Sequence, residues 1–340
     1  MWIQERVRKE APGILLFDIL LTAAWLRLCA AGSGRKEQKM SILQLAVATD
    51  VGGEYSQIEK IDEILRKIAQ AGFSHIHWCF EWDGDYIYSF YEMQQIKEWM
   101  EQYGLKAKAL HATKGSRRNV NIIEGHYRKD YTSDVEYNRK AGVELIKNRV
   151  DLAACIGATE IVLHLYVPHF TLREKPEMEE QFYQQVYRSF DELQPYCAQK
   201  GVCICIENLF DMPERYELDQ LDRLFARYPA EFVGFCLDTG HANMVWGSKL
   251  TDIIHRYKDR LNAIHIHDNS GAADFHQIPG EGNIDWQEVM SAVARTKYEL
   301  PLTLELVSYD ENMDVFLKKA YEAGERLTKM YLEAAAFAEE

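Results

Sequence analysis

The sequence is short of positive charge. Its 53 acidic residues outnumber 39 lysines and arginines, for a formal net charge of −14. It contains no basic run with interleaved aromatics that would track a phosphate backbone. The overall field repels polyanions, so nucleic acid is not a favoured partner. The chain also lacks a G-x-G-x-x-G turn after its first apolar strand, which weighs against a dinucleotide-binding fold. It has no disulfide framework: the seven cysteines are odd in number, and Cys155, Cys203, Cys205 and Cys236 lie inside apolar runs. Cys203 and Cys205 are spaced as C-x-C, not as the C-x-x-C of a redox or zinc pair. Reduced core thiols in a cytoplasmic protein are the expectation. No repeat, low-complexity tract or linker divides the chain.

What is present suits one large soluble core: 340 residues, 47% hydrophobic and 27% charged. Residues 13–32, GILLFDILLTAAWLRLCAAG, follow Arg6, Arg8 and Lys9 and have the look of a signal peptide or short anchor. Asp18 and Arg27 interrupt that run, and charges at such depth cost roughly 2.5–3.5 kcal/mol each in a spanning helix. A membrane is therefore not favoured, and a start site placed upstream of a natural Met40 is the preferred explanation. Residues 1–39 are read as an N-terminal extension and 40–340 as the folded domain.

From Met40 onward, short β-branched runs alternate with longer stretches of helical period, as in successive βα units around a parallel sheet. Strands are expected at 43–49, 74–80, 106–111, 160–166, 202–208, 233–239, 262–268 and 302–308. Helices are expected near 56–71, 90–103, 133–156, 178–200, 217–228, 248–260, 285–296 and 311–335. Gly72, Gly104, Gly157 and Gly201 fall just past helical stretches, where a left-handed residue ends a helix. Eight such pairs point to a single α/β domain, a (β/α)₈ TIM barrel.

In such a barrel the C-terminal ends of the strands share one mouth. Metal-ligand residue types fall at those ends: His111 on strand three, His164 on strand four, Glu207 on five, Asp238 on six, His265 and His267 on seven, and Glu305 on eight. Buried carboxylates this close repel one another or lose their charge unless cations lie between them. Glu207, Asp238, His265 and Glu305 would offer one ion an oxygen-dominated set suited to manganese, magnesium, cobalt or zinc. A second group, His241 in Asp238-Thr-Gly-His241 and the pair Asp274 and His276 in D-F-H, is expected in the loops after strands six and seven.

The motifs LHATKG (110–115), VLHLYVP (162–168), CIENLF (205–210), CLDTGHANM (236–244), HIHDNSGAADFHQIPGEG (265–282) and LTLEL (302–306) resemble those of the xylose isomerase-like TIM barrels. That superfamily joins sugar isomerases and epimerases to endonuclease IV-type apurinic endonucleases. The epimerase branch implies one metal on Glu207, Asp238, His265 and Glu305, with both glutamates moving protons and His241 touching substrate. The endonuclease branch implies up to three zinc ions: one on His111, His164 and Glu207, one on Glu207, Asp238, His265 and Glu305, and one on His241, Asp274 and His276. The ketose epimerases usually carry a substrate-binding arginine shortly after the strand-seven histidine, a stretch where this chain has Gly271.

Two chemistries follow. The favoured one is metal-dependent isomerisation or epimerisation of a sugar, sugar phosphate or related polyol, with Glu207 and Glu305 as base and acid on opposite faces. His241 would orient a hydroxyl, and Lys114 and Arg117, with Arg118, could hold a phosphate. Trp82, Tyr166, Phe170 and Trp246 are candidates to stack on a sugar ring. The alternative is multi-zinc phosphoester hydrolysis of the endonuclease IV type. A homo-oligomer is compatible with either.

Overall fold

The structure, a computed structural model, describes residues 44–52, 56–113, 129–309 and 312–338. The N-terminal extension lies outside the described residues, as do Lys114, Arg117 and Arg118. Eight parallel strands run β1 (Leu45–Ala48), β2 (His75–Trp78), β3 (Lys106–Thr113), β4 (Glu160–Leu163), β5 (Cys203–Glu207), β6 (Val233–Asp238), β7 (Leu261–His265) and β8 (Leu302–Leu304). Neighbours pair in chain order from β1 to β7, and β8 pairs with β1. The bridge Ile266↔Leu304 joins β7 to β8 and closes the barrel, with Ile266 N–H donating to Thr303 O at 2.9 Å.

The helices follow from local chemistry. In α1 (Ile61–Ala71), Ile61, Ile64, Leu65 and Ile68 fall at helical spacing and are buried. In α2 (Phe90–Tyr103), Ser89 and Glu92 form a reciprocal capping box. Then come α3 (Glu136–Ile156), α4 (His169–Glu174), α5 (Glu179–Lys200), α6 (Glu214–Arg227), α7 (Thr239–Trp246), α8 (Leu250–Arg256), α9 (Trp286–Val293) and α10 (Met313–Ala338). Gly72 and Gly201 end α1 and α5 with φ of 107° and 68°, as their positions predicted.

Most strands are shorter than their apolar runs, β3 being the exception in reaching Thr113. At the mouth the chain turns out of the ladder, and the expected stretches at 160–166 and 302–308 keep strand pairing only to Leu163 and Leu304. Two helices were not anticipated, α4 and α7. The second corrects the placement of His241, which lies not in a loop but in the first turn of a helix.

Two apolar layers separate by strand parity. Ile204, Ile206, Phe235, Leu237 and Ile264 face the helices in the main core, while Val162, Cys203, Cys205, Cys236 and Ala263 form a small cluster of their own on the opposite face of the strands. Two residues on from that cluster stand His164, Glu207, Asp238 and His265, so the period of two delivers all four to one side. The six described cysteines are free, and five are buried. No helix among the described residues is long and apolar enough to cross a membrane.

Close packing also fixes the segment that enters α3. Gly142 sits against the backbone of Asp130 and Tyr131, and a Cβ there would overlap the Tyr131 amide. Backbone cannot yield as a flexible side chain would. Gly142→Ala should therefore destabilise the domain by about 1–3 kcal/mol through overpacking. Denaturant titration checks this, and an unchanged midpoint would show that the contact is slack.

Candidate functional site

At the top of the interior the strand ends bring their polar groups into contact. His265 Nδ1 lies 3.1 Å from Glu207 Oε1 and 3.0 Å from Glu305 Oε2. One ligand atom each from Glu207, Asp238, His265 and Glu305 falls within 4.8 Å of the others, and all four residues are buried. His164 and His111 direct their Nε2 atoms at the remaining oxygen of Glu207, at 3.0 and 3.4 Å. His111 Nε2 is also 3.8 Å from Glu305 Oε1.

Electrostatics here are set by mutual compensation. Burial alone would raise the Glu207 carboxyl, but His265 and His164 hold it well below the ordinary range. Glu305 is likewise held down against burial, chiefly by His265. Burial opposes charge on His265, and Cys236, Glu305 and Glu207 outweigh it, so its pKa lies well above the ordinary value. His111 goes the other way, because burial dominates. Glu207 and Glu305 are thus held below the ordinary carboxylate range only by positive charge kept against them.

A second group lies beside it. His241 opens α7, whose N-cap is Asp238: the Asp238 Oδ1 accepts the His241 backbone N–H at 2.7 Å. His241 Nδ1 donates to Asn208 O at 2.9 Å, leaving Nε2 facing Asp274 Oδ2 at 3.4 Å. His276 repeats the arrangement, with Nδ1 on Glu305 O at 3.0 Å and Nε2 at 3.2 Å from the same Asp274 oxygen. A backbone acceptor on Nδ1 selects the tautomer that presents Nε2, the arrangement found at ligating histidines. His276 takes φ of 47°, a left-handed conformation that side chains seldom adopt and that the surrounding contacts must hold in place. Asp268 does much of that holding. Its backbone pairs with Gln277, and its carboxylate accepts from Gly280 N at 2.7 Å and Trp286 Nε1 at 2.9 Å. Burial opposes charge on His276, but Asp274 and Glu305 raise its pKa to about 9.

A cavity of about 150 Å³ opens onto both groups and is walled by Trp82, Tyr166 and Phe210. Trp82 stacks on His111 with ring centres 3.9 Å apart. Buried Arg149 braces that corner by donating to Ala112 O at 2.9 Å and Glu81 O at 3.0 Å. Of the aromatics expected at the mouth, Trp82 and Tyr166 line the cavity. Phe170 is instead 55% exposed, and Trp246 donates to Glu214 at 2.9 Å.

All nine residues singled out as metal ligands therefore gather here, in two adjoining groups. Three others were passed over. His77 on β2 is fully buried with its ring 4.6 Å from that of His265. Asn208 braces Asp238 through both backbone groups, donating to its O at 3.0 Å and accepting from its N at 2.8 Å. Glu217 on α6 accepts the Leu209 N–H at 3.0 Å beneath the β5 turn. His77 was legible as a polar residue in an apolar strand. Glu217 lies on a charged helix and gave no signal.

The comparisons agree with this architecture. The chain belongs to the family described as xylose isomerase-like TIM barrel, whose profile matches residues 65–329. It is 34% identical over 285 residues to an uncharacterized protein, y4fM, of Sinorhizobium fredii, covering 81% of this chain and 91% of that one. It is 25% identical to fructoselysine 3-epimerase of Shigella flexneri over 55% of this chain and 67% of that one. Probable endonuclease 4 of Mycobacterium leprae matches at 30% identity over 44% and 59% of the respective chains. Among solved structures, a D-tagatose 3-epimerase-like protein superposes with a TM-score of 0.63 at 20% identity, covering 88% of this chain and 100% of that one.

Glu217 yields a test of the floor beneath the site. Burial pushes its carboxyl from an ordinary 4.5 up to about 8. Gln220 Nε2 donates to it at 3.0 Å while Gln220 Oε1 has no partner. Turning that amide over gives the protonated carboxyl an acceptor. Between the two pKa values the folded state binds a proton that the unfolded chain has lost, so this residue's contribution to stability falls as pH rises through that window. Glu217→Gln should thus gain stability relative to the parent between about pH 5 and about pH 8 in denaturant titrations. Parallel pH profiles would mean the carboxyl is ionised throughout.

Proposed function

We propose that the chain is a metal-dependent isomerase or epimerase acting on a sugar, sugar phosphate or related polyol by proton transfer next to a carbonyl. The observation that carries this reading is the pair of buried carboxyl groups, Glu207 and Glu305, at 3.1 and 3.0 Å from the same His265 Nδ1 and both lining one small cavity. Glu207, Asp238, His265 and Glu305 fit a divalent ion: their donors are oxygen-dominated, buried and within reach of a common centre. When bound, such an ion polarises neighbouring hydroxyl and carbonyl oxygens and so acidifies the adjacent C–H.

The chain's own residues supply the rest. Glu207 and Glu305, both held below the ordinary carboxylate range, are available as bases at neutral pH. One takes the carbon-bound proton, and the other, having first taken up a proton from solvent through the cavity, delivers it to the opposite face. Burial opposes charge on His241, but Asp238, Asp274 and Glu207 outweigh it and raise its pKa, and its Nε2–H, facing Asp274 Oδ2 at 3.4 Å on the cavity wall, can be shared with a substrate oxygen. Trp82, Tyr166 and Phe210 exclude water and offer faces to a sugar ring. The cavity, about 150 Å³, is smaller than the roughly 300–1,000 Å³ pockets that enclose drug-sized ligands. That size supports a small polyol. Fructoselysine 3-epimerase among the relatives supports the same class.

A second reading is favoured by one specific feature, the backbone-locked His241 and His276 converging on Asp274. This is an outer ligand set that a one-ion epimerase does not need. Three zinc ions over the two groups would suit phosphoester hydrolysis, the chemistry suggested by the probable endonuclease 4 relative.

The test is isotopic. Chain loaded with manganese or cobalt and incubated with a panel of ketoses in deuterated water should place carbon-bound deuterium in at least one sugar, read by proton NMR. Glu305→Gln should slow that exchange by about 10²–10⁴-fold. Exchange in none of the ketoses, together with three zinc ions per chain by elemental analysis and cleavage of an abasic-site oligonucleotide, would replace the sugar reading with the hydrolytic one.

A further inference from the structure

His267 stands between the two ligand groups and has no part in the chemistry above. It is fully buried, with Nε2 at 3.0 and 3.1 Å from the two carboxylate oxygens of Asp238. The same nitrogen is 3.6 Å from Asp274 Oδ1. Its ring lies flat on that of His276, with centres 4.0 Å apart and planes 11° from parallel. Thr239 holds its backbone from both sides, accepting its N–H at 3.1 Å and donating to its O at 2.8 Å. The adjacent Gly240 leaves the space it occupies, since a Cβ there would overlap the imidazole.

A ligand atom of His267 falls within 4.8 Å of those of His241, Asp274 and His276, so it could be taken for a fourth ligand of an outer ion. The stacking argues otherwise. An imidazole lone pair lies in the ring plane, and two nearly parallel rings 4.0 Å apart cannot both aim theirs at one centre. The Nε2 of His267 is moreover engaged with Asp238.

We propose that His267 is a positioning residue that couples the two ligand groups. Its Nε2–H orients the Asp238 carboxylate for the central ion, and its ring face holds the His276 imidazole for an outer one. Filling one group then stiffens the other, and two ions bind with positive cooperativity. This inference rests on metal binding at both ligand groups, the outer one as in the second reading of the previous subsection.

Metal-free full-length chain would be titrated with zinc against a chromophoric chelator, and with cobalt by visible absorption. Glu305→Gln and His241→Asn, run alongside, mark which step belongs to which group. His267→Phe keeps the stacked ring but removes the hydrogen bond, and should weaken the central step by about 10–100-fold and alter its cobalt spectrum. His267→Asn retains a donor but not the ring. It should restore central affinity relative to the Phe variant while leaving the outer step weak and the cooperativity lost. Circular dichroism and thermal melting establish that each variant is folded. Parent-like affinity and spectrum in a folded His267→Phe would overturn the proposal. Should that variant fail to fold, a parent-like outer step in His267→Asn would overturn it instead. A parent chain that binds neither zinc nor cobalt would overturn the metal reading itself, and this inference with it.

Discussion

Three carboxylates, Glu207, Asp238 and Glu305, are buried together in the interior of the barrel, and much of the upper half of the molecule is organised around accommodating them. In a medium of low polarity each would rather take up a proton than stand beside the other two. His265 answers this directly, being within 3.1 Å of Glu207 and 3.0 Å of Glu305. His164 does the same for the far oxygen of Glu207, and His267 Nε2 lies within hydrogen-bonding distance of Asp238. Such a concentration of ionisable groups is a poor way to stabilise a core, since well-packed apolar residues would serve as well or better. It is a suitable way to build a site for a cation.

The scaffold serves that centre at several removes. Asp238 both ends β6 and caps α7, so the turn that places a carboxylate inside also places the His241 ring across from it. Asn208 ties the ends of β5 and β6 together and receives the Nδ1 proton of His241, which turns the other nitrogen toward Asp274. Asp268, with no role in the cavity, gathers the long segment after β7 so that His276 is held in its left-handed conformation. These supports are made largely to backbone groups, which move less than side chains do. Sites of this kind tolerate little looseness in what orients their ligands.

Much of this was legible beforehand, for a physical reason. Metal-ligand residues at the ends of β-branched runs are conspicuous because the rest of each run is apolar, as in the CICIE of β5 and the VGFCLD of β6. Glycine C-caps marked the helix ends because a left-handed residue is seldom anything else. What escaped has no such contrast. Helix α7, TGHANMVW, is short and weakly patterned, and the helical state of His241 is set by the Asp238 cap. Glu217 resembles any surface glutamate of α6 until the β5 turn is laid over it.

The period-two alternation within each strand, and the βα alternation along the chain, determined from sequence alone that these side chains would meet in a barrel mouth. Parity is a local property of the backbone, and it needs no knowledge of neighbours. How the central and outer groups are turned toward each other and held in place was decided only by the tertiary structure. That orientation depends on contacts between elements distant in sequence: Thr239 against His267, Asn208 against Asp238, and His276 against the carbonyl of Glu305. The role of His267 is the plainest instance. Its position two residues beyond His265 is written in the chain, but its place between the two groups exists only where β6, β7 and the loop bearing His276 close on one another.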